Sequence, residues 1–248
     1  MKKAIIFDVD GTLADTERDG HRPAFNAAFA QKGLNWNWDV ELYGKLLEVA
    51  GGKERIQYFI RDFLPESERP ADPVELSKEL HKIKTEIYVT SLQNGKIPLR
   101  VGVKRLIEDA RKSGMTIAIA TTTTPENISA LLDGTLGKGS IEWFSAIGDG
   151  ENSPKKKPDP QVYHYVLDKL KLKPEECLAI EDTAIGLKAA TAAGLDVVIT
   201  VNDYTREQNF TGARLVLSQL GEPNDPCKIL QGNCNHKFFS VATIKECL

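Results

Sequence analysis

The sequence predicts an α/β protein in which a doubly wound parallel sheet forms the core and an all-helical cap domain is inserted. Three observations support this prediction. The chain opens with a short apolar run, Ala4–Ile6, that leads through Phe7 to two carboxylates and a glycine. Helical patterns then fill residues 16–95, after which apolar strand patterns alternate with amphipathic helical patterns. Such repeats form parallel sheets with right-handed crossovers, and the long interruption after the first strand indicates an insertion.

The insertion sets the expected domain boundaries. We expect a core domain of residues 1–15 and 98–248 and a helical domain of residues 16–97. Apolar residues recur at helical spacing in four parts of the insertion: His21–Lys32, Val40–Val49, Lys53–Leu64 and Pro73–Leu92. Asp72, followed by a proline and three residues later by a glutamate, is typical of a helix N-terminus.

The core should contain further strands separated by helices. Five more strands are expected: Thr116–Ala120, Phe144–Ile147, Leu178–Ile180, Val197–Thr200 and Leu215–Leu217. Helices are expected at Val103–Lys112, after Thr124, after Asp159 and at Thr183–Ala193. Residues 221–248 show no clear pattern, and we expect only weakly regular structure there.

Composition and charge limit the classes of function. A net charge of −3 and an isoelectric point near 5.9 do not predict a nucleic-acid partner or an acidic membrane surface. No apolar run approaches the length that spans a membrane. Four cysteines in 248 residues do not make a disulfide scaffold, which favours a cytoplasmic protein. A plastid location stays open if a transit peptide has been removed, and we expect a monomer.

The C-terminal cysteines raise the question of a zinc site. Cys227, Cys234, His236 and Cys247 all carry side chains that bind zinc in proteins. Their spacing fits no compact zinc pattern, so the sequence disfavours zinc.

Two carboxylates follow the first strand. Asp8 and Asp10 are two positions apart, so both side chains point to one side if the chain is still extended there. Like charges this close repel unless a cation lies between them or one group stays protonated. Open α/β sheets bind their ligands at the carboxyl ends of the strands. For these residues taken alone, the alternative is an ordinary acidic turn.

Polar side chains follow later strands as well. Thr121 and Thr122 stand after the second strand and just before a helix, where hydroxyl and N–H groups could bind an anion. Lys157 closes a run of three lysines, which in isolation would be a solvated basic segment. Glu181 and Asp182 follow the strand that ends at residue 180, and adjacent carboxylates suit a hard cation. Either acid could instead cap the next helix.

Taken together, these groups resemble the four motifs of the haloacid dehalogenase superfamily of phosphohydrolases, over residues 4–220. The insertion resembles that family's helical cap. The resemblance implies phosphoryl transfer through an aspartyl phosphate, with Asp8 as nucleophile and Asp10 as general acid and base. The phosphoryl oxygens would be bound by residues of motifs two and three: Thr121, Thr122 and Lys157. A Mg²⁺ cofactor would be bound by residues of motifs one and four: Asp8, Asp10 through its carbonyl, Glu181 and Asp182.

A closer resemblance is to the CbbY group, which contains phosphatases of the sugar bisphosphate xylulose 1,5-bisphosphate. It rests on five segments: His21–Phe25, Trp36–Trp38, Gly51–Arg55, Ala120–Thr123 and Asp203–Arg206. The resemblance implies a small phosphorylated sugar as substrate, bound by cap residues: Glu17, His21, Lys53, Arg55 and Lys84.

Three functions stay open at the level of sequence. β-Phosphoglucomutase is a near relative of the CbbY group, and Lys84 resembles a cap lysine of that mutase. The mutase pattern lacks a carboxylate at the position of Glu17, which favours a Mg²⁺-dependent phosphatase over a phosphomutase. A non-catalytic sugar-phosphate sensor is the third reading, and the presence of all four motifs disfavours it.

Overall fold

The computed structural model describes residues 1–49 and 51–247, without the side chain of Cys247. The chain divides into two compact units. One unit consists of Met1–Asp15 and Ile97–Leu248, and the other is Thr16–Lys96. No helix among the described residues is both long and apolar enough to cross a membrane.

The first unit is built on one sheet. Within the described residues its seven strands are β1 (Ala4–Phe7), β2 (Thr116–Ala120), β3 (Ile147–Gly148), β4 (Cys177–Glu181), β5 (Asp196–Thr200), β6 (Leu215–Leu217) and β7 (Ile229–Gln231). Their order is β3-β2-β1-β4-β5-β6-β7, and all neighbours are parallel except β6 and β7. The chain winds outward in both directions from β1, so the predicted doubly wound, Rossmann-like α/β core is confirmed.

The second unit is helical. Its α-helices are α1 (Arg22–Gln31), α2 (Val40–Leu46), α3 (Gly52–Asp62) and α4 (Pro73–Gln93). Asp72 caps α4 as predicted, because its carboxylate accepts hydrogen bonds from the N–H groups of Val74 and Glu75. The core of this unit is aromatic: the ring of Trp38, which is fully buried, contacts the rings of Phe25, Phe29, Tyr43 and Phe59.

Helices of the first unit flank the sheet. They are α5 (Val103–Lys112), α6 (Pro125–Leu136), α7 (Gln161–Leu170), α8 (Ala184–Ala192) and α9 (Val241–Cys247). Two expectations were wrong. The strand expected at Phe144–Ile147 is instead Ile147–Gly148, the two residues in ladder register with Ile119 and Ala120 of β2. The C-terminal segment contains β7 and α9 rather than weakly regular structure, since β7 is held by backbone pairing to β6 and its side chains are mostly exposed.

Candidate active site

The predicted motif residues of the first unit meet at the carboxyl edge of the sheet. β1 lies between β2 and β4, so the loops that follow these strands emerge side by side. Asp8 follows β1, Thr121 follows β2, and Asp182 follows β4, and all three side chains are buried. The parallel register therefore brings together groups that are far apart in the sequence.

Lys157 uses all three of its N–H donors within this site. Its Nζ lies 2.7 Å from Oδ1 of Asp8, 2.5 Å from Oε1 of Glu181 and 2.9 Å from the carbonyl oxygen of Ala120. Burial alone would lower the pKa of Lys157, but the charges of Asp8 and Glu181 outweigh burial and raise it above the ordinary value. Lys157 is thus a buried, charged ammonium next to Asp8 and not part of a solvated basic run.

The acidic pair at the end of β4, Glu181 and Asp182, does not cap the following helix. Thr183 caps α8 instead, because its hydroxyl oxygen accepts a hydrogen bond from the N–H of Gly186 at 3.0 Å. The carboxylates of Glu181 and Asp182 are therefore left for the site, where Glu181 is 1% and Asp182 is 3% exposed.

Three carboxylates crowd together at this edge and fit a hard cation. Asp8, Glu181 and Asp182 each offer an oxygen atom, and these atoms lie within 4.8 Å of one another. Burial, and then the charges of Asp8 and Glu181, raise the pKa of Asp182 well above its ordinary value. Lys157 offsets charge on the other two acids, so a divalent cation with oxygen ligands would relieve the remaining repulsion.

No second group of this kind occurs among residues 1–49 and 51–247. Cys227, Cys234 and His236 do not bring three ligand atoms close enough to share an ion. Cys247, the fourth member of the zinc hypothesis, lies outside the described side chains.

Gly11 makes room for Asp182. Its φ angle is +86°, in the left-handed region that favours glycine. A Cβ atom at this position would lie 2.1 Å from Oδ2 of Asp182. Asp10, just before the glycine, is half-buried in the same turn, which the N–H of Gly11 closes by donating to the carbonyl of Ala14 at 2.8 Å.

The two threonines of the second motif differ in their surroundings. Thr121 is 1% exposed, and its hydroxyl oxygen accepts a hydrogen bond from the N–H of Thr123 at 3.4 Å. Thr122 is exposed. The structure therefore places Thr121, but not Thr122, among the buried groups of the site.

Arg100 is hydrogen-bonded to several loops of the site, and the sequence did not predict this role. Its guanidinium donates to four backbone carbonyls, those of Gly11, Thr200, Val201 and Ser218. Its Nε also lies 3.3 Å from Oδ1 of Asp15, and the side chain is only 8% exposed. No pattern in the sequence predicts this role, because the partners of Arg100 are backbone atoms that are distant along the chain.

In the helical unit, Tyr43 links two of the predicted substrate-binding residues. Its hydroxyl donates to Oε2 of Glu17 at 2.5 Å and accepts from Nη1 of Arg55 at 2.9 Å. Arg55 also donates to the carbonyls of Leu46 and Val49 and is 8% exposed. Arg55 is therefore part of the interior of this unit and not a solvated side chain.

A second pair in the helical unit joins His21 and Lys84. Nζ of Lys84 lies 2.7 Å from Nδ1 of His21, whose ring stacks on Tyr88 at 3.9 Å. Burial lowers the pKa of His21 to about 4 against the opposing charge of Glu17, so Nδ1 of the neutral ring accepts from Lys84. The pKa of Glu17 is lowered in turn, because the surrounding positive charges outweigh the effect of burial. Lys53 is exposed and stands apart from this network at the start of α3.

Comparisons with known proteins agree with this arrangement. A family model for haloacid dehalogenase-like hydrolases matches residues 2–194. The plasmid-encoded CbbY protein of Cupriavidus necator is 46% identical over 243 residues, which cover 98% of this chain and 95% of that protein. A crystal structure of a CbbY mutant from Rhodobacter sphaeroides in complex with xylulose 1,5-bisphosphate is similar with a TM-score of 0.72 at 41% identity, covering 88% of this chain and 95% of that one. A β-phosphoglucomutase from Clostridium difficile shares the fold with a TM-score of 0.60 at 23% identity, covering 87% and 90% of the two chains.

Proposed function

Since the chain belongs to the haloacid dehalogenase-like hydrolases, we propose that it is a Mg²⁺-dependent sugar-bisphosphate phosphatase that works through an aspartyl phosphate. The observation that carries this proposal is the buried group of Asp8, Lys157 and Asp182, with Lys157 only 2.7 Å from Asp8. The CbbY structure with xylulose 1,5-bisphosphate supports that ketose bisphosphate as substrate. The proposed product is xylulose 5-phosphate.

The proposed reaction has two halves. In the first, a carboxylate oxygen of Asp8 bonds to phosphorus while the bond from phosphorus to the sugar oxygen breaks, and Asp10 gives that oxygen a proton. In the second, Asp10 takes a proton from a water molecule that attacks phosphorus, which releases inorganic phosphate and restores Asp8. Lys157 and Thr121 would bind the phosphoryl oxygens and offset the repulsion between the phosphate and Asp8.

The proposed cation is Mg²⁺. Asp8, the carbonyl of Asp10 and Asp182 would hold it, with Glu181 beside them. When bound, it would neutralise charge on the transferring phosphoryl group. The crowding of three carboxylates and the raised pKa of Asp182 support this assignment.

A panel of sugar phosphates and bisphosphates tests the proposal. Phosphate release would be measured with Mg²⁺, in the presence and absence of glucose 1,6-bisphosphate. Rapid release from xylulose 1,5-bisphosphate is the expected result. Formation of glucose 6-phosphate from β-glucose 1-phosphate would instead identify a phosphomutase, and binding of sugar phosphates without any turnover would identify a sensor.

We also propose that residues of the helical unit select the sugar. Asp8, Asp10 and Lys157 serve the transferring phosphoryl group, which all substrates share, so discrimination requires other residues. A second phosphate calls for a cation, and Lys53 is an exposed one that follows two glycines at the start of α3. Arg55 suits this test less well, because its buried contacts with Tyr43 would be lost with the side chain.

The selectivity proposal is tested with two lysine variants. Lys53→Ala should lower kcat/KM for xylulose 1,5-bisphosphate by about ten- to a hundredfold, the effect of one charge-assisted hydrogen bond. For p-nitrophenyl phosphate the same change should be less than about threefold, because that ester has no second phosphate. Lys82→Ala, at another exposed lysine of the same unit, is the control and should change neither value. Equal effects of Lys53→Ala on both substrates would contradict the proposal.

A further inference from the structure

Tyr163 lies on α7 and contacts Glu181 in the site. Its side chain is fully buried, and its hydroxyl donates to Oε1 of Glu181 at 2.5 Å. The same oxygen atom accepts an N–H of Lys157 at 2.5 Å. Nζ of Lys157 also lies 5.2 Å from the centre of the tyrosine ring. One carboxylate oxygen thus joins the tyrosine hydroxyl to the ammonium group beside Asp8.

The hydrogen bonds of Lys157 leave it no spare donor. An ammonium group has three N–H donors, and those of Lys157 point to Asp8, Glu181 and the carbonyl of Ala120. Lys157 must therefore exchange one partner before it can bind a phosphoryl oxygen. The partner to be released is Asp8, because its carboxylate has to turn to phosphorus. Glu181 and the Ala120 carbonyl then remain as the two anchors of the ammonium group.

The orientation of Glu181 consequently determines where Lys157 stands. The last torsion of a glutamate side chain has a broad energy profile, so neighbouring groups must set it. Oε1 is held by Tyr163 at 2.5 Å, whereas Oε2 accepts a longer hydrogen bond from the N–H of Asp182 at 3.3 Å. A Cβ atom at Gly186 would lie 2.0 Å from Oε2, so the carboxylate is confined on that side by the backbone of α8.

We propose that Tyr163 is a positioning residue for phosphoryl transfer: its hydroxyl holds Glu181 so that Lys157 keeps its place when it exchanges Asp8 for a phosphoryl oxygen. This inference rests on the proposed function and adds a residue outside the four sequence motifs. Without the hydroxyl, the Glu181 carboxylate can rotate and carry Lys157 away from the phosphoryl group. A displacement of 1 Å in such a group can lower the rate by roughly a hundredfold.

The test removes a single oxygen atom. Tyr163→Phe keeps the buried ring, and Tyr165→Phe is the matched control on the same helix, where the ring is only partly buried against the core. With Mg²⁺ present, kcat and KM for p-nitrophenyl phosphate, the Kd for inorganic phosphate and the melting temperature would be measured. Tyr163→Phe should lower kcat/KM by about tenfold or more and weaken phosphate binding by about fivefold or more. Tyr165→Phe should change each value by less than about twofold on the same reasoning.

A rescue experiment separates positioning from packing. Replacing Tyr163 by p-aminophenylalanine retains a donor at the same place and should recover most of the activity and phosphate affinity. A purely structural role would lower the melting temperature of Tyr163→Phe while each folded molecule kept its normal kcat and phosphate Kd, and that result would overturn the inference.

Other outcomes are equally decisive. A p-aminophenylalanine protein no more active than Tyr163→Phe overturns the positioning role. If Tyr163→Phe does not fold, a folded p-aminophenylalanine protein whose kcat/KM lies about tenfold or more below that of Tyr165→Phe overturns it as well. An active wild-type protein with an unaltered Tyr163→Phe variant overturns this inference alone. A wild-type protein that neither hydrolyses the ester nor binds inorganic phosphate overturns the proposed function and the inference with it.

Discussion

Replacing Arg100 with methionine should lower the free energy of unfolding by about 3–5 kcal/mol, as expected when one partner of a buried ion pair is removed. The guanidinium binds four carbonyl oxygens and lies 3.3 Å from the carboxylate of Asp15. Methionine has a similar length and fills much of the space, but it donates no hydrogen bond. The substitution would therefore leave several carbonyl oxygens and the Asp15 charge without their cation.

The magnitude follows from these contacts. A hydrogen bond to a charged group contributes about 1.5–3 kcal/mol, and an unpaired buried acceptor costs a similar amount. The contacts of Arg100 share one charge and one side chain, so their contributions do not add. The combined loss is therefore closer to that of one broken buried ion pair than to the sum over all partners.

Urea denaturation at pH 7 measures this loss, with Arg206→Met as the control. The side chain of Arg206 is 65% exposed and lies 3.8 Å from Asp203. An exposed pair of this kind contributes less than about 1 kcal/mol. The midpoint should fall for Arg100→Met with little change in the slope, since the surface exposed on unfolding is nearly the same. A loss for Arg100→Met no larger than that of the control would refute the reasoning, because the carbonyls would then have found other donors.

Three further predictions concern the proposed nucleophile, the cation and pH. Asp8→Asn should retain the circular dichroism spectrum of the wild type but less than about 1% of its phosphate release, since losing a nucleophile costs several orders of magnitude. EDTA should abolish phosphate release and Mg²⁺ should restore it, whereas Ca²⁺ should restore little because it prefers more ligands and looser geometry; full activity after exhaustive chelation would exclude the cation. Folded His21 has a pKa of about 4, below its ordinary 6.5, so the unfolded chain binds more protons between these values and stability should fall as the pH drops through that window. Urea denaturation should give a free energy of unfolding about 1–2 kcal/mol lower at pH 5 than at pH 7, after allowance for partial solvent exposure. His21→Asn keeps an acceptor for Lys84 and should remove this part of the pH dependence, so an equally steep variant would contradict the assignment.

Local patterns were sufficient to predict the sheet and the groups at its carboxyl edge. A buried parallel strand is a short apolar run, and the residues that follow it must emerge at one edge of the sheet. For this reason Asp8, Thr121 and Asp182 could be expected to meet before the structure was known. The helical insertion was equally visible, since amphipathic spacing is a property of consecutive residues.

Tertiary structure decided the residues that act through distant backbone atoms or through one another. Arg100 binds carbonyl groups up to 118 positions away, and carbonyl groups are the same in every residue, so no side-chain pattern marks them. In the sequence, Tyr163 has the spacing of an ordinary core residue of an amphipathic helix. Only the folded chain places Glu181, 18 positions later, against its hydroxyl. The burial of Arg55 could not be predicted either, because a charge in a sequence does not reveal which partners will bury it. The sequence by itself determined which chemical groups stand at the strand ends, whereas only packing between distant segments decided which neighbours hold those groups in place.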